Sequence, residues 1–165
     1  MRQIIMIYNF YLLKPRMIST DFYYKVYVTN NYLYFIKIGG QFYSRDAYFN
    51  QLSGGVGILF WYWFKKTEKK QACFEAEIDQ KIECGEITEI LQNKHNYKIL
   101  IETIDEIVTN KSKNFHTSFN DYGTISFKLK DGKIIKFIIP DTNLRITVLR
   151  SLKQISQTIT IKEVK

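Results

Sequence analysis

The chain has 165 residues and a formal charge of +8 at neutral pH, and 45% of its residues are hydrophobic and 16% aromatic. This length fits one domain, residues 1–165, with a sizeable hydrophobic core. Two prolines and eight glycines argue against a disordered or linker-rich chain. The high aromatic share favours a sheet-rich fold, because aromatic and β-branched residues are enriched in strands.

The excess of basic residues indicates which partners the surface would attract. A basic surface attracts anions such as nucleic acid or an acidic membrane, although lysines spread along the chain are also typical of an ordinary solvated surface. Cys73 and Cys84 form neither a C-x-x-C nor a zinc pattern, and we interpret them as small hydrophobic residues. The N-terminal segment lacks the features of a secretory signal. These observations predict an intracellular, cytoplasmic protein with free thiols.

The N-terminal residues predict a strand followed by a hairpin. Residues 4–13 are apolar and rich in strand formers, and the Lys-Pro-Arg sequence that follows interrupts them. Residues 22–29 and 32–38 are dense in aromatic and β-branched residues. The Asn-Asn pair between these two segments suits the tight turn of a hairpin, because asparagine tolerates the left-handed conformation.

A helical insertion is predicted at about residues 53–96, where strand formers become rare and Glu, Lys, Ala and Gln increase. Residues 68–81 carry charges at helical spacing, and an apolar stripe continues beyond them. Gly85 would cost about 1 kcal/mol relative to alanine inside a helix. The segment is therefore either one helix or a helical pair that ends near residues 92–94.

Strand patterns return at Tyr97. Residues 97–108 predict an extended piece, a turn at residues 103–105 and a further strand. The segment GTISFKLK then alternates apolar and polar residues, and KIIKFII supplies its partner strand. The Asp131-Gly132 pair between them is typical of a two-residue type I′ hairpin loop.

A single amphipathic helix is predicted near the C-terminal end. Asp141 or Thr142 can cap it, since both residue types accept hydrogen bonds from the first turn of a helix. The apolar stripe of this helix consists of Leu144, Val148, Leu152 and Ile155. The last ten residues are expected to be frayed. The elements together predict a mainly β (α+β) fold.

The order of strands, helical insertion, strands and final helix resembles the pleckstrin-homology-like (PH-like) superfold, especially small prokaryotic PH-like or GRAM-like proteins. The resemblance is carried by VYVTNNYLYFIKIGG, LQNKHNYKILIETIDEIVTNK and GTISFKLKDGKIIKFIIPD. It implies an antiparallel barrel closed by the C-terminal amphipathic helix, with the insertion after the first strands. A headgroup-binding loop near the first hairpin, as in lipid-binding members, would depend on Lys14, Arg16 and Lys25.

Motifs for catalysis, metals and cofactors are missing from the sequence, which has no nucleophile elbow, P-loop, dinucleotide fingerprint or His-Glu metal motif. His95 and His116 lie in polar stretches typical of surface histidines. Asp105 and Glu106 are interpreted as solvated turn residues. We therefore expect a non-enzymatic protein without metal or cofactor, and a small enzyme of unrecognised type stays open as an alternative.

The segment GGVGILFWYWFKKTEKK, residues 54–70, joins an uncharged aromatic block to a lysine block. A helix of its ten uncharged residues spans about 15 Å, too short for a hydrocarbon core of about 30 Å. Three interpretations remain: buried core, a self-association surface, or a membrane interface with tryptophans at headgroup depth and lysines on anionic phosphates. The candidate membrane or partner contact comprises Trp61, Trp63, Phe64, Lys65, Lys66, Lys69 and Lys70.

The sequence thus predicts a PH-like binding or scaffold module that is peripheral to an anionic membrane surface, at the inner face of the membrane. The alternative is a homo-oligomerising interaction module that uses the insertion as its interface. Nucleic acid is the less favoured partner, because the aromatic residues mostly alternate with other apolar residues, as in a core, rather than standing as exposed stacking rings. An anionic lipid surface and another protein chain both stay open as partners.

Overall fold

The computed structural model describes residues 8–16, 21–40, 57–113, 121–155 and 159–164; for residues 57–68, 142–143 and 155 it describes the backbone alone. The strands are β1 Tyr8–Lys14, β2 Phe22–Val28, β3 Tyr32–Gly40, β4 Tyr97–Leu100, β5 Ile104–Asn110, β6 Thr124–Leu129, β7 Ile134–Ile138 and β8 Thr160–Val164. The helices are α1 Gly57–Glu83, α2 Ile87–Ile90 and α3 Thr142–Ile155, and a 3-10 turn, Ile101–Thr103, separates β4 from β5.

All eight described strands belong to one open sheet in the order β4-β3-β2-β1-β7-β6-β5-β8. Neighbouring strands are antiparallel except for β8, which runs parallel to β5. The helices α1 and α2 lie between β3 and β4, and α3 follows β7. The predictions of a mainly β fold, a helical insertion after the first hairpin and a final helix are therefore confirmed.

Apolar side chains pack on both faces of the first three strands. On one face, Phe35, Phe127 and Phe137 belong to a large core that also includes the α3 residues Val148 and Leu152. On the other face, a second core joins the sheet to helix α1. Burial on both faces explains why β2 and β3 have nearly continuous apolar sequences, because neither face has to present polar side chains to water.

Helix α1 begins earlier than the sequence predicts, and its end decides between the predicted single helix and the predicted helical pair. It begins at Gly57 rather than near residue 68, and it ends at Glu83. Gly85 has a φ of 81°, the amide of Glu86 donates to the Lys81 carbonyl (2.8 Å), and the amide of Gly85 donates to the Ile82 carbonyl (3.0 Å). This Schellman motif ends the helix with glycine in the left-handed conformation, so the insertion is a helical pair.

The β6–β7 hairpin has a longer loop than predicted. The amide of Gly132 donates to the carbonyl of Leu129 (2.9 Å), and the amide of Leu129 donates to the carbonyl of Lys133 (2.8 Å). Three residues therefore form the loop, with Gly132 at a φ of 85°. The prediction of a two-residue loop is therefore wrong. The Asp-Gly pair also suits a three-residue loop that has glycine in the left-handed position.

The C-terminal segment is more ordered than predicted. The carboxylate of Asp141 caps α3 by accepting a hydrogen bond from the amide of Leu144 (2.9 Å), as the sequence indicates. The expectation of frayed terminal residues is wrong for β8, which pairs along its whole length with β5. The Arg145 guanidinium on α3 also contacts the Glu163 carboxylate on β8 at 2.7 Å.

Candidate anion-binding site

The ends of several strands meet at one end of the sheet, which we call the loop end. The register of the first three strands places Lys14, Phe22 and Gly40 side by side, at the end of β1, the start of β2 and the end of β3. Strand β4 begins close by, with Tyr97 opposite Phe35 of β3. The connections leaving these strands therefore bring their side chains to one part of the surface.

Three cationic or titratable side chains surround one aromatic ring at the loop end. The Phe22 ring centre lies 4.4 Å from the Arg16 guanidinium carbon, 4.0 Å from Lys37 Nζ and 4.8 Å from the ring centre of His95. Ring faces attract cations at these distances. Among the described residues, neither Arg16 nor Lys37 forms an ion pair with a carboxylate. We call Arg16, Phe22, Lys37 and His95 the Phe22 cluster.

Backbone hydrogen bonds hold the members of the Phe22 cluster in place. The buried Asp21 carboxylate accepts a hydrogen bond from the amide of Arg16 (2.7 Å). The Asn96 side chain accepts from the amide of Lys37 (2.8 Å) and donates to the carbonyl of Ile90 (2.8 Å). The backbone at Arg16 and Lys37 is therefore fixed by the fold, and both side chains extend from it to the Phe22 ring.

The electrostatic field of the cluster affects His95. Burial lowers the pKa of His95 below its ordinary value, and neighbouring cations lower it further: Lys37, Lys94 and Arg16. A positive field that disfavours imidazolium favours an anion at the same place. The Phe22 cluster therefore gathers positive charge around an aromatic ring.

We expect the Arg16→Gln substitution to raise the pKa of His95, because it removes one of the cations that disfavour imidazolium. The folded chain keeps His95 neutral to a lower pH than the unfolded chain, so stability should fall as the pH drops through about 6.5. The dependence of stability on pH in this range should be smaller in the His95→Gln variant. NMR titration of the imidazole measures the pKa of His95 in the wild type and in Arg16→Gln, with Lys130→Gln as an exposed control. A His95 pKa at or above its ordinary value in the wild type would contradict the proposed effect of the cations.

A second basic feature, the lysine cleft, lies between β4 and the β6–β7 hairpin. It is a cavity of about 560 Å³, and no described aspartate or glutamate lines it. Its basic lining residues are Lys14, Lys98, Lys133 and Lys136. Burial and the neighbouring Lys133 lower the pKa of Lys14, whose ammonium lies 5.4 Å from the Tyr97 ring centre. The cleft therefore concentrates positive charge beside an aromatic floor.

Aromatic contacts connect the cluster and the cleft. The ring of Tyr24 lies 6.3 Å from that of Phe22 and 5.9 Å from that of Tyr97, both in edge-on geometry. The Tyr24 hydroxyl donates to the carbonyl of His95 (2.9 Å). Both basic features thus belong to one continuous end of the core.

The structure gives different outcomes for the three basic residues near the first hairpin. Lys14 lines the lysine cleft and Arg16 belongs to the Phe22 cluster. Lys25 is buried, and its ammonium lies 2.8 and 2.9 Å from the two carboxylate oxygens of Asp79 and 3.4 Å from the Glu75 carboxylate. Lys25 is therefore not available to a ligand, because it attaches the sheet to α1.

Two tyrosines complete the buried network around Lys25. The Tyr27 hydroxyl donates to Asp79 (2.6 Å) and the Tyr11 hydroxyl donates to Glu75 (2.8 Å). Burial, with the adjacent carboxylate, raises the pKa of each tyrosine well above its ordinary value, so both stay donors. The network fixes the C-terminal half of α1 on the sheet.

The residues of the candidate membrane or partner contact belong to helix α1. Side chains up to residue 68 lie outside the described part of the chain, which leaves the interpretations of Trp61, Trp63, Phe64, Lys65 and Lys66 as predictions. Lys69 and Lys70 are exposed. The described helices include none that is long and apolar enough to cross a membrane.

The other chemically distinctive residues occupy ordinary positions. Cys73 and Cys84 are free thiols, as predicted, but both are exposed, so interpreting them as hydrophobic residues is wrong. His95 is half-buried against Phe22, whereas His116 lies outside the described residues. The interpretation of Asp105 and Glu106 as turn residues is wrong, because both lie in β5, where they pair with Lys128 and Lys162 of the neighbouring strands. The described residues contain no group of three or more histidine, cysteine or acidic side chains that could hold a metal.

Comparison of the chain with known protein families, with curated proteins and with solved structures finds no match.

Proposed function

We propose that the chain is a non-enzymatic PH-like binding or scaffold module that attaches to an anionic membrane surface through the loop end of its sheet. The observation that carries this proposal is the Phe22 cluster, where Arg16 and Lys37 flank one ring without a described carboxylate as ion-pair partner. Phosphate groups at a membrane surface attract such cations. The lysine cleft adds positive charge at the same end.

The connectivity supports the PH-like part of the proposal. The first four strands form consecutive antiparallel pairs, strands β5 to β7 form a second set, and β1 joins β7. The helix α3 follows β7 and contributes Val148 and Leu152 to the core between these sets. The resemblance in sequence implies this order of elements, with a barrel that α3 closes.

The lysine block of α1 is the second proposed contact with the membrane. Each lysine near an anionic surface contributes about 1 kcal/mol, and Lys69 and Lys70 are exposed on the helix. Trp61 and Trp63, earlier in the helix, would provide the aromatic anchor at headgroup depth. In this proposal the basic loop end attracts the membrane over a distance, and the aromatic block inserts into the interface.

Co-sedimentation with vesicles tests the proposal. We expect binding to phosphatidylcholine vesicles that contain phosphatidylglycerol, no binding to phosphatidylcholine alone, and release in high salt, since exposed charges are screened. The Trp61→Ala/Trp63→Ala variant should lose most of the binding, whereas Tyr122→Ala, which removes an exposed aromatic residue next to α3, should retain it. Absence of binding by the wild type would overturn the membrane function.

The alternative is a homo-oligomerising module that uses the surface of the insertion as its interface. Phe74 on α1 is 45% exposed, a large apolar side chain on the surface of the insertion. Such residues mark association surfaces when they are part of a larger apolar patch. Sedimentation velocity separates the two functions: a concentration-dependent dimer abolished by Phe74→Glu, together with absent vesicle binding, would favour the alternative.

A further inference from the structure

The lysine cleft has the size of a small-molecule site. Cavities of roughly 300–1,000 Å³ are typical of such sites, and the volume here is about 560 Å³. The cleft lies along β4, an edge strand of the sheet, and β7 forms its opposite wall. It is a separate cavity from the Phe22 cluster on the surface, so it could hold a ligand of its own.

The lining of the cleft divides into an apolar floor and a basic rim. Tyr97, Leu129 and Ile135 line the cavity and also pack against the main core of the protein. Lys133 and Lys136 are exposed at its edge, whereas the Lys98 ammonium lies 4.5 Å from the ring centre of Tyr32, which packs against the second core on the other face of the sheet. A ligand that satisfies both parts has an apolar body and an anionic group. A purely polar anion would leave the apolar floor in contact with water, and a purely apolar ligand would leave the lysine ammonium groups without a counter-ion.

The positive charge of the cleft is uncompensated. Lys14 is half-buried, its pKa is lowered by burial and by Lys133, and no described carboxylate lines the cavity. Two ammonium groups held near each other in a partly buried place repel, and an anion between them removes that repulsion. The position next to Lys14 and Lys133 is therefore the preferred place for the anionic group.

The Tyr97 hydroxyl supports the same interpretation. It is buried and has no hydrogen-bond partner among the described residues. Burial raises the pKa of Tyr97 well above its ordinary value, so the hydroxyl stays protonated and can donate. An unpaired buried hydroxyl is costly, and a ligand oxygen that reaches it through a shift of the surrounding side chains would supply the missing acceptor.

We propose that the lysine cleft binds a single amphiphilic anion, with its phosphate or carboxylate group between Lys14 and Lys133 and its alkyl body against Tyr97, Leu129 and Ile135. This binding goes beyond attachment to a membrane surface, since the cleft takes one dispersed molecule. The same chemistry could come from a free alkyl phosphate or from a single-chain lipid, and the probes below distinguish the headgroup from the chain.

Isothermal titration with octyl phosphate below its micelle concentration tests the proposal. We expect octyl phosphate to bind at least about tenfold more tightly than inorganic phosphate, butyl phosphate or octanol. Its chain has about four more methylenes than butyl phosphate, and its anionic group is missing from octanol, and both differences should contribute to affinity. Lys133→Glu should weaken octyl phosphate binding about tenfold or more. Equal affinity for octanol and octyl phosphate, or for butyl and octyl phosphate, would overturn the proposal, as would absence of binding.

Lys70→Glu provides the matched control for charge. Lys70 is exposed on α1 and does not line the cleft, so this variant should bind octyl phosphate like the wild type while its binding to anionic vesicles decreases. An equal loss of octyl phosphate binding in both variants would mean that the effect is general charge, and would overturn the cleft site. Failure of vesicle binding with intact octyl phosphate binding would instead reject the membrane function alone.

Discussion

Asp79→Ala is expected to lower the free energy of unfolding by about 3 kcal/mol, the lower end of the cost of breaking a buried ion pair. Asp79 accepts hydrogen bonds from both Lys25 and Tyr27, and the Lys25 side chain is only 6% exposed. Removal of the carboxylate leaves a buried ammonium whose remaining partner, Glu75, is at 3.4 Å. The expected cost stays at the lower end because the Asp79 side chain is 36% exposed and Glu75 remains.

Urea denaturation of three variants distinguishes this explanation from general damage to the helix. Lys25→Met/Asp79→Ala should be more stable than Asp79→Ala alone, because the double variant no longer buries an ammonium that has lost its closer carboxylate partner. Glu77→Ala on the same helix should change stability by less than about 0.5 kcal/mol, since its ion pair with Lys81 is exposed. A double variant less stable than Asp79→Ala would show that Lys25 stabilises the fold even without Asp79, and would contradict this explanation.

Gly123→Ala is expected to destabilise the fold by about 3–5 kcal/mol, from left-handed strain together with overpacking. Gly123 has a φ of 98°, and an added Cβ would lie 1.9 Å from the carbonyl oxygen of Asn110. Both contacting groups are backbone of the sheet, because Asn110 is the last residue of β5 and Gly123 precedes β6. Neither can move without disturbing the β5–β6 pairing, in which Asn110 lies opposite Thr124.

Gly85→Ala separates strain from steric overlap in the same denaturation experiment. Gly85 has a φ of 81°, but an added Cβ would meet no atom within 4 Å. Its substitution should therefore cost about 1–2 kcal/mol, the left-handed penalty alone. Equal losses for Gly85→Ala and Gly123→Ala would contradict the predicted overlap with Asn110.

Local sequence patterns were sufficient for the elements whose contacts are close along the chain. The β2–β3 hairpin follows from two aromatic-rich segments around an Asn-Asn turn, and the cap of α3 follows from Asp141. The end of α1 does not follow from the sequence alone, because Gly85 is compatible both with a tolerated glycine inside a helix and with a Schellman motif at its end. The structure decides for the latter through the hydrogen bonds of Gly85 and Glu86.

Contacts between distant segments could not be predicted in this way. Lys25 and Asp79 are 54 residues apart. Lys25 is a charged residue within an apolar strand, and this is the signal in the sequence that it has a buried partner. The parallel pairing of β8 with β5 likewise depends on where α3 leads the chain. A buried charge requires a partner, but its identity depends on the fold.

The candidate site combines both kinds of information. Lys14 and Arg16 were recognisable as basic residues near the first hairpin, whereas Lys37 and His95 join Arg16 only because β3 and the turn before β4 reach the same ring of Phe22. The lysine cleft similarly requires β4 to lie opposite the β6–β7 hairpin. Composition indicated an anionic partner, and the fold identifies where the positive charge is concentrated.

Vesicle binding by a charge-reversal variant of the Phe22 cluster tests the proposed function most directly. Arg16→Glu/Lys37→Glu reverses two cations that lie over the Phe22 ring, and Lys111→Glu/Lys113→Glu reverses two exposed lysines after β5 as a control of equal charge. At low salt, the first variant should lose at least about tenfold in affinity for phosphatidylglycerol-containing vesicles, with four charge units changed near the lipid, while the control retains most of its binding. Equal binding by the two variants would contradict a membrane contact at the loop end.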